Sequence, residues 1–265
     1  MLTIYEAIIL GIVQGVAEWL PISSEGMTTL VMINVFNRTL ADALPIAIWL
    51  HTGTLLSALV YFRTDVKEIL REIPHYIKNR DNQEKKDSII TFLLIATAIT
   101  GIIGLPLILF ATGLEDFSGK LATAFIGLLL IITGLLQISA SKRTKKREQP
   151  VIMDSIITGI AQGFAALPGI SRSGITVSIL LLRDIEASQA LRLSFLMSIP
   201  AIIAADLGMA AMGMISFNLN ALLGLFFAFL FGIITIDLFI KAAKKFDFSK
   251  FCIALGILSI LAYFV

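Results

Sequence analysis

The apolar positions of the chain form long, nearly uninterrupted runs instead of short amphipathic segments. About 20 helical residues are needed to cross the hydrocarbon core of a bilayer. Six runs approach or exceed that length: residues 43–62, 88–110, 120–141, 193–213, 217–240 and 251–265. The last run is short, so it begins a few residues earlier or tilts little in the membrane. The pattern predicts an all-α polytopic membrane protein with six spanning helices.

The composition agrees with this prediction. Of the 265 residues, 57% are hydrophobic and 15% are charged, whereas a soluble domain is about half apolar and about a quarter charged. We therefore expect a single integral membrane domain over residues 1–265, with the membrane as a partner and no nucleic-acid partner. Cys252 is the one cysteine, which excludes a disulfide framework and a cysteine-based metal site.

The basic residues divide the connections into two classes. The connections 63–87, 142–149 and 241–250 each carry four or more lysine and arginine residues, whereas 111–119 and 214–218 carry none. Cytoplasmic loops are enriched in lysine and arginine, so the three basic connections are predicted to be cytoplasmic. Both chain ends are then predicted to lie outside.

Two further apolar regions, 1–35 and 151–182, are interrupted by proline, glycine and serine. Region 151–182 follows a cytoplasmic connection and precedes Arg183 and Arg192, so we predict that it enters and leaves the membrane on the same side. Region 1–35 is the matching re-entrant hairpin on the outer side. Each half, approximately 1–141 and 151–265, then holds one hairpin and three spanning helices in inverted orientation. The alternative is eight full crossings without re-entry.

The two hairpins contain near-copies of one motif. Residues 11–26 read GIVQGVAEWLPISSEG, and residues 159–174 read GIAQGFAALPGISRSG. Backbone that leaves the helix inside a bilayer must line a cavity or be buried in protein. Matched interruptions in two repeats indicate a binding site at the repeat interface.

Ionisable residues inside a membrane are costly and mark function by default. The first motif supplies Glu18 and Glu25 and the second supplies Arg172, with four neighbouring hydroxyls from Ser23, Ser24, Ser171 and Ser173. The forked, permanently charged head of arginine suits phosphate oxygens. The carboxylates can bind a divalent cation or take a proton from a serine that attacks phosphorus.

Glycines beside these groups permit a close approach of backbone amides to an anion; they are Gly26, Gly169 and Gly174. Together these residues predict a phosphate or pyrophosphate site. The alternative is that the charged residues are buried structural pairs that hold the two hairpins together.

Both motifs resemble signatures of a known family. Glu18–Gly26, preceded by Gln14 and Gly15, resembles the first signature of the undecaprenyl-diphosphate phosphatases, also known for bacitracin resistance. Pro168–Gly174 resembles the second signature, and Leu50–Leu56 and Ser194–Pro200 resemble further stretches of the family. The resemblance covers essentially the whole chain.

The resemblance implies a multi-pass hydrolase of the plasma membrane. Such an enzyme removes the terminal phosphate of a polyprenyl diphosphate with the help of a divalent cation, Mg²⁺ or Ca²⁺. The monophosphate carrier returns to cell-envelope synthesis. A homodimer is compatible with this reading. The alternative functions are a lipid-phosphate flippase that uses the same site without hydrolysis, and a structural or regulatory relative with a decayed site.

The resemblance also implies roles for residues. Ser24 matches the nucleophile, Glu18 a base or metal ligand, and Arg172 the arginine that holds the diphosphate. The implied substrate-binding residues are Ser23, Ser171, Ser173, Gly174, Gly26 and Gln14. Glu18 and Glu25 are the predicted metal ligands.

Neither motif contains a histidine. Met27 stands where the family signature has histidine, and a thioether cannot transfer protons. His51 either reaches the site as a secondary residue or is a packing histidine. The acid-phosphatase-like lipid phosphatases need a histidine pair within their signatures, and neither His51 nor His75 lies in a matching motif, so this class is excluded.

Overall fold

The computed structural model describes residues 2–78, 89–113, 119–141, 147–214, 218–245 and 247–264, and these residues contain eleven α-helices and no β-strand. The helices are α1 Ile4–Ala17, α2 Ser24–Asn34, α3 Leu40–Tyr61, α4 Arg63–Lys78, α5 Ile89–Thr112, α6 Gly119–Ser141, α7 Ile152–Phe164, α8 Arg172–Leu182, α9 Ala187–Ala211, α10 Leu219–Lys245 and α11 Ser249–Leu261. The all-α prediction is confirmed. The connections 63–87, 111–119, 142–149, 214–218 and 241–250 each lie partly outside the described residues.

Five of these helices are long and apolar enough to cross a membrane: α3, α5, α6, α9 and α10. They coincide, within a few residues, with five of the six predicted runs. The sixth run, 251–265, corresponds to α11, which has 13 residues. At 1.5 Å per residue α11 is about 20 Å long, against about 30 Å of hydrocarbon. It packs along α6, where Gly127 and Gly134 on α6 and Gly256 on α11 allow close contact.

The charged connection after α3 begins with a helix that the sequence reading did not predict. Helix α4 has no buried residue, and its apolar side chains Leu70 and Ile77 are exposed. Val66, Leu70 and Ile77 recur with spacings that place them on one helical face. The charges between them dominate the average hydropathy, so the segment reads as a polar loop unless its periodicity is examined.

The two motif regions form helical hairpins. Region 1–35 holds α1 and α2, and region 151–182 holds α7 and α8. The four helices have 11 to 14 residues, so none exceeds about 21 Å. This length favours re-entrant hairpins over eight full crossings. Helix α1 packs against α10 and α7 packs against α5, so the first helix of each hairpin lies on a spanning helix of the other half.

Each hairpin is held at its base by a carboxylate. Glu6 accepts a hydrogen bond from the amide of Thr3 at the start of α1 and pairs with Arg38, which follows α2, at 2.9 Å. In the second hairpin, Asp154 accepts from the amide of Val151 and pairs with two arginines, Arg147 at 3.0 Å and Arg183 at 2.8 Å. A carboxylate at a helix N-terminus also interacts favourably with the helix dipole.

Glycine makes the packing of α1 on α10 close, which leads to a stability prediction. A Cβ atom at Gly15 would lie 2.7 Å from the carbonyl oxygen of Ala228 and 2.8 Å from the amide nitrogen of Gly232. We expect Gly15→Ala to lower the free energy of unfolding by about 1–3 kcal/mol, as overpacking does. Thermal unfolding in detergent measures the loss.

Gly208→Ala on α9 is the matched control, because a Cβ atom there has nothing within 4 Å. Alanine is the better helix former by about 1 kcal/mol, so this variant is expected to keep or slightly raise stability. Equal melting temperatures for the two variants would contradict the close-packing argument.

Candidate active site

The ends of the two hairpins meet, and their breaks are joined by a serine. The hydroxyl of Ser23 accepts hydrogen bonds from the amide of Gly26 in its own hairpin and from that of Gly169 in the other, both at 3.1 Å. Ser23 has φ 64°, a left-handed conformation that costs a non-glycine residue of order 1–3 kcal/mol. Such strain is concentrated at functional sites.

Glu18 lies at the centre of the site. Its Oε2 accepts hydrogen bonds from the hydroxyl of Ser24 at 2.6 Å and from the side-chain amide of Gln14 at 2.8 Å. Its Oε1 accepts from the guanidinium of Arg172, and Nε2 of His51 lies 3.3 Å from Oε2. Glu18 and Ser24 are both buried. A hydroxyl that donates to a buried carboxylate is the arrangement of a nucleophile with its base.

Arg172 connects the second hairpin to this centre. It is the first residue of α8, and besides Glu18 it donates to the carbonyl oxygen of Ser194 at 3.4 Å. Its guanidinium lies 5.7 Å from the ring centroid of Phe195, within cation–π range. These contacts hold the guanidinium of Arg172 in place, and Arg172 lines the polar pocket between the hairpins.

Two helix N-termini converge on the same place. Ser24 begins α2 and Arg172 begins α8. Ser171 caps α8 by accepting from the amide of Gly174 at 3.1 Å, as Ser23 caps α2. Free amides and the helix dipole make an N-terminus a binding place for anions, phosphate included. The geometry thus joins a serine hydroxyl, a buried carboxylate, an arginine and two helix N-termini of the kind that bind anions.

The site consists of a polar pocket and a larger apolar cavity. The polar pocket is lined by both breaks, through Glu18, Leu20, Ser23, Ser24, Glu25, His51, Ala165, Ile170, Ser171, Arg172 and Ser173. The apolar cavity has a volume of about 340 Å³ and lies between α3, α5, α7 and α9. Glu25, His51 and Arg172 line both, so the two spaces adjoin.

Three of the predicted substrate-binding residues do not line the polar pocket. Gln14, Gly26 and Gly174 are absent from the walls of the polar pocket described above. Gln14 donates to Glu18 and, at 3.4 Å, to Ser24, and so holds these two side chains in place. Gly26 is needed for close approach, because a Cβ atom there would lie 2.9 Å from the amide nitrogen of Gly169. Met27 also lines neither space.

The sequence reading missed several residues that hold the breaks in place. Gln137 on α6 donates to the carbonyl oxygen of Pro21 at 2.7 Å. Thr133, one turn earlier, accepts from the amide of Ser171 and donates to the carbonyl oxygen of Gly169, both at 3.2 Å. Their signal in the sequence is a polar side chain inside an otherwise apolar run, which a membrane helix keeps only when it has a partner.

Glu25 is the carboxyl group best suited to hold a metal ion. It is buried, and its Oε1 has no hydrogen-bond partner among the described residues. Glu18, by contrast, is already engaged by four groups. Within the described ranges no cluster of three or more histidine, cysteine, aspartate or glutamate side chains is present. Mg²⁺ is often bound by one or two carboxylates together with substrate phosphates, and one unpartnered carboxylate beside an anion pocket fits that pattern.

Comparison with known proteins identifies the family of the chain. A family profile described as bacitracin resistance protein BacA matches residues 7–261. A relative from Methanococcoides burtonii, named undecaprenyl-diphosphatase, is 58% identical over 265 residues, the whole of both chains. Relatives of the same name from Methanothrix thermoacetophila and Haloarcula marismortui are 38% and 39% identical over 96% and 94% of this chain, and over 95% and 93% of their own. The resemblance seen in the two signatures is confirmed: this multi-pass membrane protein belongs to the family of the bacitracin resistance protein BacA.

Proposed function

We propose that this protein hydrolyses a polyprenyl diphosphate of the undecaprenyl type to the monophosphate and inorganic phosphate. One observation carries the proposal: Ser24 donates to Glu18, and Glu18 is bound by Arg172 from the opposite hairpin. Relatives with the name undecaprenyl-diphosphatase supply the substrate class. The product is the lipid monophosphate, which returns to the carrier pool for cell-envelope synthesis.

The contacts of Glu18 suggest the order of events. Ser24 Oγ attacks the terminal phosphorus while Glu18 takes the hydroxyl proton, and the bond from phosphorus to the bridging oxygen breaks. The equatorial phosphoryl oxygens compete with Glu18 for the guanidinium of Arg172, and the attraction of Glu18 for Arg172 falls further once Glu18 has taken the proton. Charge stabilisation and positioning are the main needs of phosphoryl transfer. Glu18 passes its proton to the bridging oxygen of the departing lipid monophosphate and so becomes a carboxylate again. Water then hydrolyses the phosphoserine, with Glu18 as the base.

The apolar cavity fits the lipid part of the substrate. Its walls are mostly aliphatic, and small residues on α5 and α9 keep it open, among them Gly101 and Gly208, whose Cβ positions face open space. Because it adjoins the polar pocket at His51 and Arg172, a diphosphate in the pocket would direct its first isoprene units into the cavity. The rest of a long chain would remain in the bilayer.

A divalent cation, Mg²⁺ or Ca²⁺, would be held by Glu25 together with diphosphate oxygens, where it would neutralise phosphate charge. We expect Glu25→Gln to weaken cation binding by at least about tenfold, since it removes the one charged side chain proposed to bind the cation. Electron paramagnetic resonance of Mn²⁺, titrated into the protein with a non-hydrolysable diphosphate analogue, measures the affinity. Glu148→Gln is the control, because Glu148 is exposed and outside the site. Unchanged Mn²⁺ affinity in Glu25→Gln would remove Glu25 from the proposed cation site.

The basic connections imply an orientation of the protein in the membrane, and the proposed substrate implies the compartment. With 63–87, 142–149 and 241–250 in the cytoplasm, both chain ends would lie outside, and the plasma membrane is the compartment that the substrate implies. A homodimer stays a prediction, for which sedimentation of the purified protein is the measurement.

Phosphate release by the purified protein tests the proposed function directly. We expect release from undecaprenyl diphosphate in detergent, and slower release from a short, water-soluble prenyl diphosphate that fills less of the apolar cavity. No release from either substrate would overturn hydrolysis. Translocation of the lipid in liposomes without release would instead support the flippase alternative, which no contact of the described residues specifically favours.

A further inference from the structure

His51 contacts the site from a spanning helix that carries none of the signature residues. It lies in the middle of α3, and its side chain lines both the polar pocket and the apolar cavity. Its Nε2 is 3.3 Å from Oε2 of Glu18, the same oxygen that accepts the hydroxyl of Ser24. The ring is therefore in contact with the base and is not a packing histidine remote from the site.

The other ring nitrogen fixes the orientation of the imidazole. Nδ1 of His51 lies 2.8 Å from the carbonyl oxygen of Ala47, one turn earlier on α3. A carbonyl oxygen only accepts hydrogen bonds, so Nδ1 carries the proton in this contact. Nε2 is thereby directed at Glu18. It donates to the carboxylate when the ring is an imidazolium, and it accepts from Glu18 when Glu18 has taken the serine proton.

Glu18 needs a partner that does not leave during the reaction. It follows the last residue of α1, at the start of the non-helical break, so the helix holds it from one side only. Arg172 is required by the phosphate and gives up Glu18 when it binds there. Gln14 and His51 are then the remaining partners of Glu18 that do not react, and His51 is in the middle of α3, a 22-residue helix long enough to cross a membrane.

We propose that His51 is a positioning residue for Glu18: it keeps Oε2 beside the hydroxyl of Ser24 while Arg172 moves to the phosphate. Position 27, where the family signature has histidine, is Met27 in this chain. The imidazole at this site comes from α3 instead. This role rests on the proposed function, because it assigns a task within the same reaction.

The test compares His51→Leu with His51→Gln. Leucine keeps the volume and removes the contact with Glu18, whereas glutamine can present an amide donor to the same oxygen. We expect kcat of His51→Leu to fall by about 10- to 100-fold, as misplacement of a catalytic group does, with KM changed less than about threefold. His51→Gln is expected within about fivefold of the wild-type kcat, since its side-chain amide can donate to the same oxygen or accept from it.

A control and a second readout separate positioning from folding. Leu56→Ala on the same helix removes an exposed side chain outside both spaces and is expected to leave kcat unchanged. The rate at which a fluorophosphonate labels Ser24 reports the reactivity of the hydroxyl without the lipid substrate. It is expected to fall in His51→Leu and to recover in His51→Gln.

The outcomes distinguish this inference from the proposed function. If the wild type releases no phosphate, hydrolysis fails as the function, and the labelling rates still test the role of His51. If the wild type is active and His51→Leu keeps both kcat and the labelling rate, the positioning role is overturned. Equal losses in the leucine and glutamine variants, with a lowered melting temperature, would also overturn it, because they would show that the ring only packs.

Discussion

Ser24→Ala is expected to lower kcat for phosphate release by at least about three orders of magnitude, as loss of a nucleophile does. Ser24 is the one hydroxyl that donates to Glu18 among the described contacts, at 2.6 Å, and it begins α2 inside the polar pocket. Alanine fits the same space, so the fold and the binding of the diphosphate should persist. The measurement is inorganic phosphate released from undecaprenyl diphosphate by purified variants.

Ser139→Ala is the matched control for this change. Ser139 is an exposed serine of α6 that donates to the carbonyl oxygen of Leu135, away from the site. It is expected to keep wild-type activity. If Ser24→Ala retained more than about a tenth of the activity, a directly attacking water would replace Ser24 as the nucleophile in the mechanism.

Arg172→Lys is expected to lower kcat by about 10²–10³-fold although it keeps the positive charge. Lysine cannot reproduce the planar fork that binds two phosphoryl oxygens at once, and an arginine at this point of phosphoryl transfer is typically worth about 10³-fold or more. Arg172→Ala is a less informative change, because it leaves Glu18 buried without its main cation, which costs several kcal/mol of stability. Steady-state kinetics and thermal unfolding together separate these effects.

Arg38→Lys provides the comparison for this second change. Arg38 pairs with Glu6 at the base of the first hairpin, so it belongs to an arginine–glutamate pair that lies outside the pocket. The lysine variant is expected to lose some stability and to keep its kcat. If Arg172→Lys behaved in the same way, Arg172 would be a structural pair only, which is the alternative that the sequence left open.

The repeat explains why both hairpins are required. When the two motifs are aligned without gaps, Arg172 occupies the place of Ser24, and Ala166 that of Glu18. Ala166 lines the apolar cavity, so the second repeat has a methyl group instead of a carboxyl group where lipid is proposed to lie. The two motifs thus have different chemistry: the first supplies the carboxylate and the hydroxyl, and the second supplies the guanidinium. Helices of both halves line the apolar cavity.

The structure brings some of the predicted site residues into contact and places others outside the pocket. Glu18, Ser24 and Arg172 are in contact, as the paired motifs predicted. Gln14 and Gly26 contact the two helix breaks and do not line the polar pocket. This could not be predicted from the motif, because a sequence pattern does not give the direction of a side chain beyond a helix end. Glu25 was predicted to bind metal beside Glu18, and only the contacts distinguish the unpartnered carboxyl from the engaged one.

The sequence by itself determined the membrane helices, the hairpins and the chemical class of the site. Hydrocarbon excludes polar groups, so spanning helices must be long and apolar, and the charges and helix breaks that persist inside them must be functional or paired. The tertiary structure decided the rest: the amphipathic helix α4, the short α11, the support from Gln137 on α6, and the contact of His51 with Glu18. These depend on which helix faces meet, and residues 33 positions apart become neighbours only when α1 and α3 pack together.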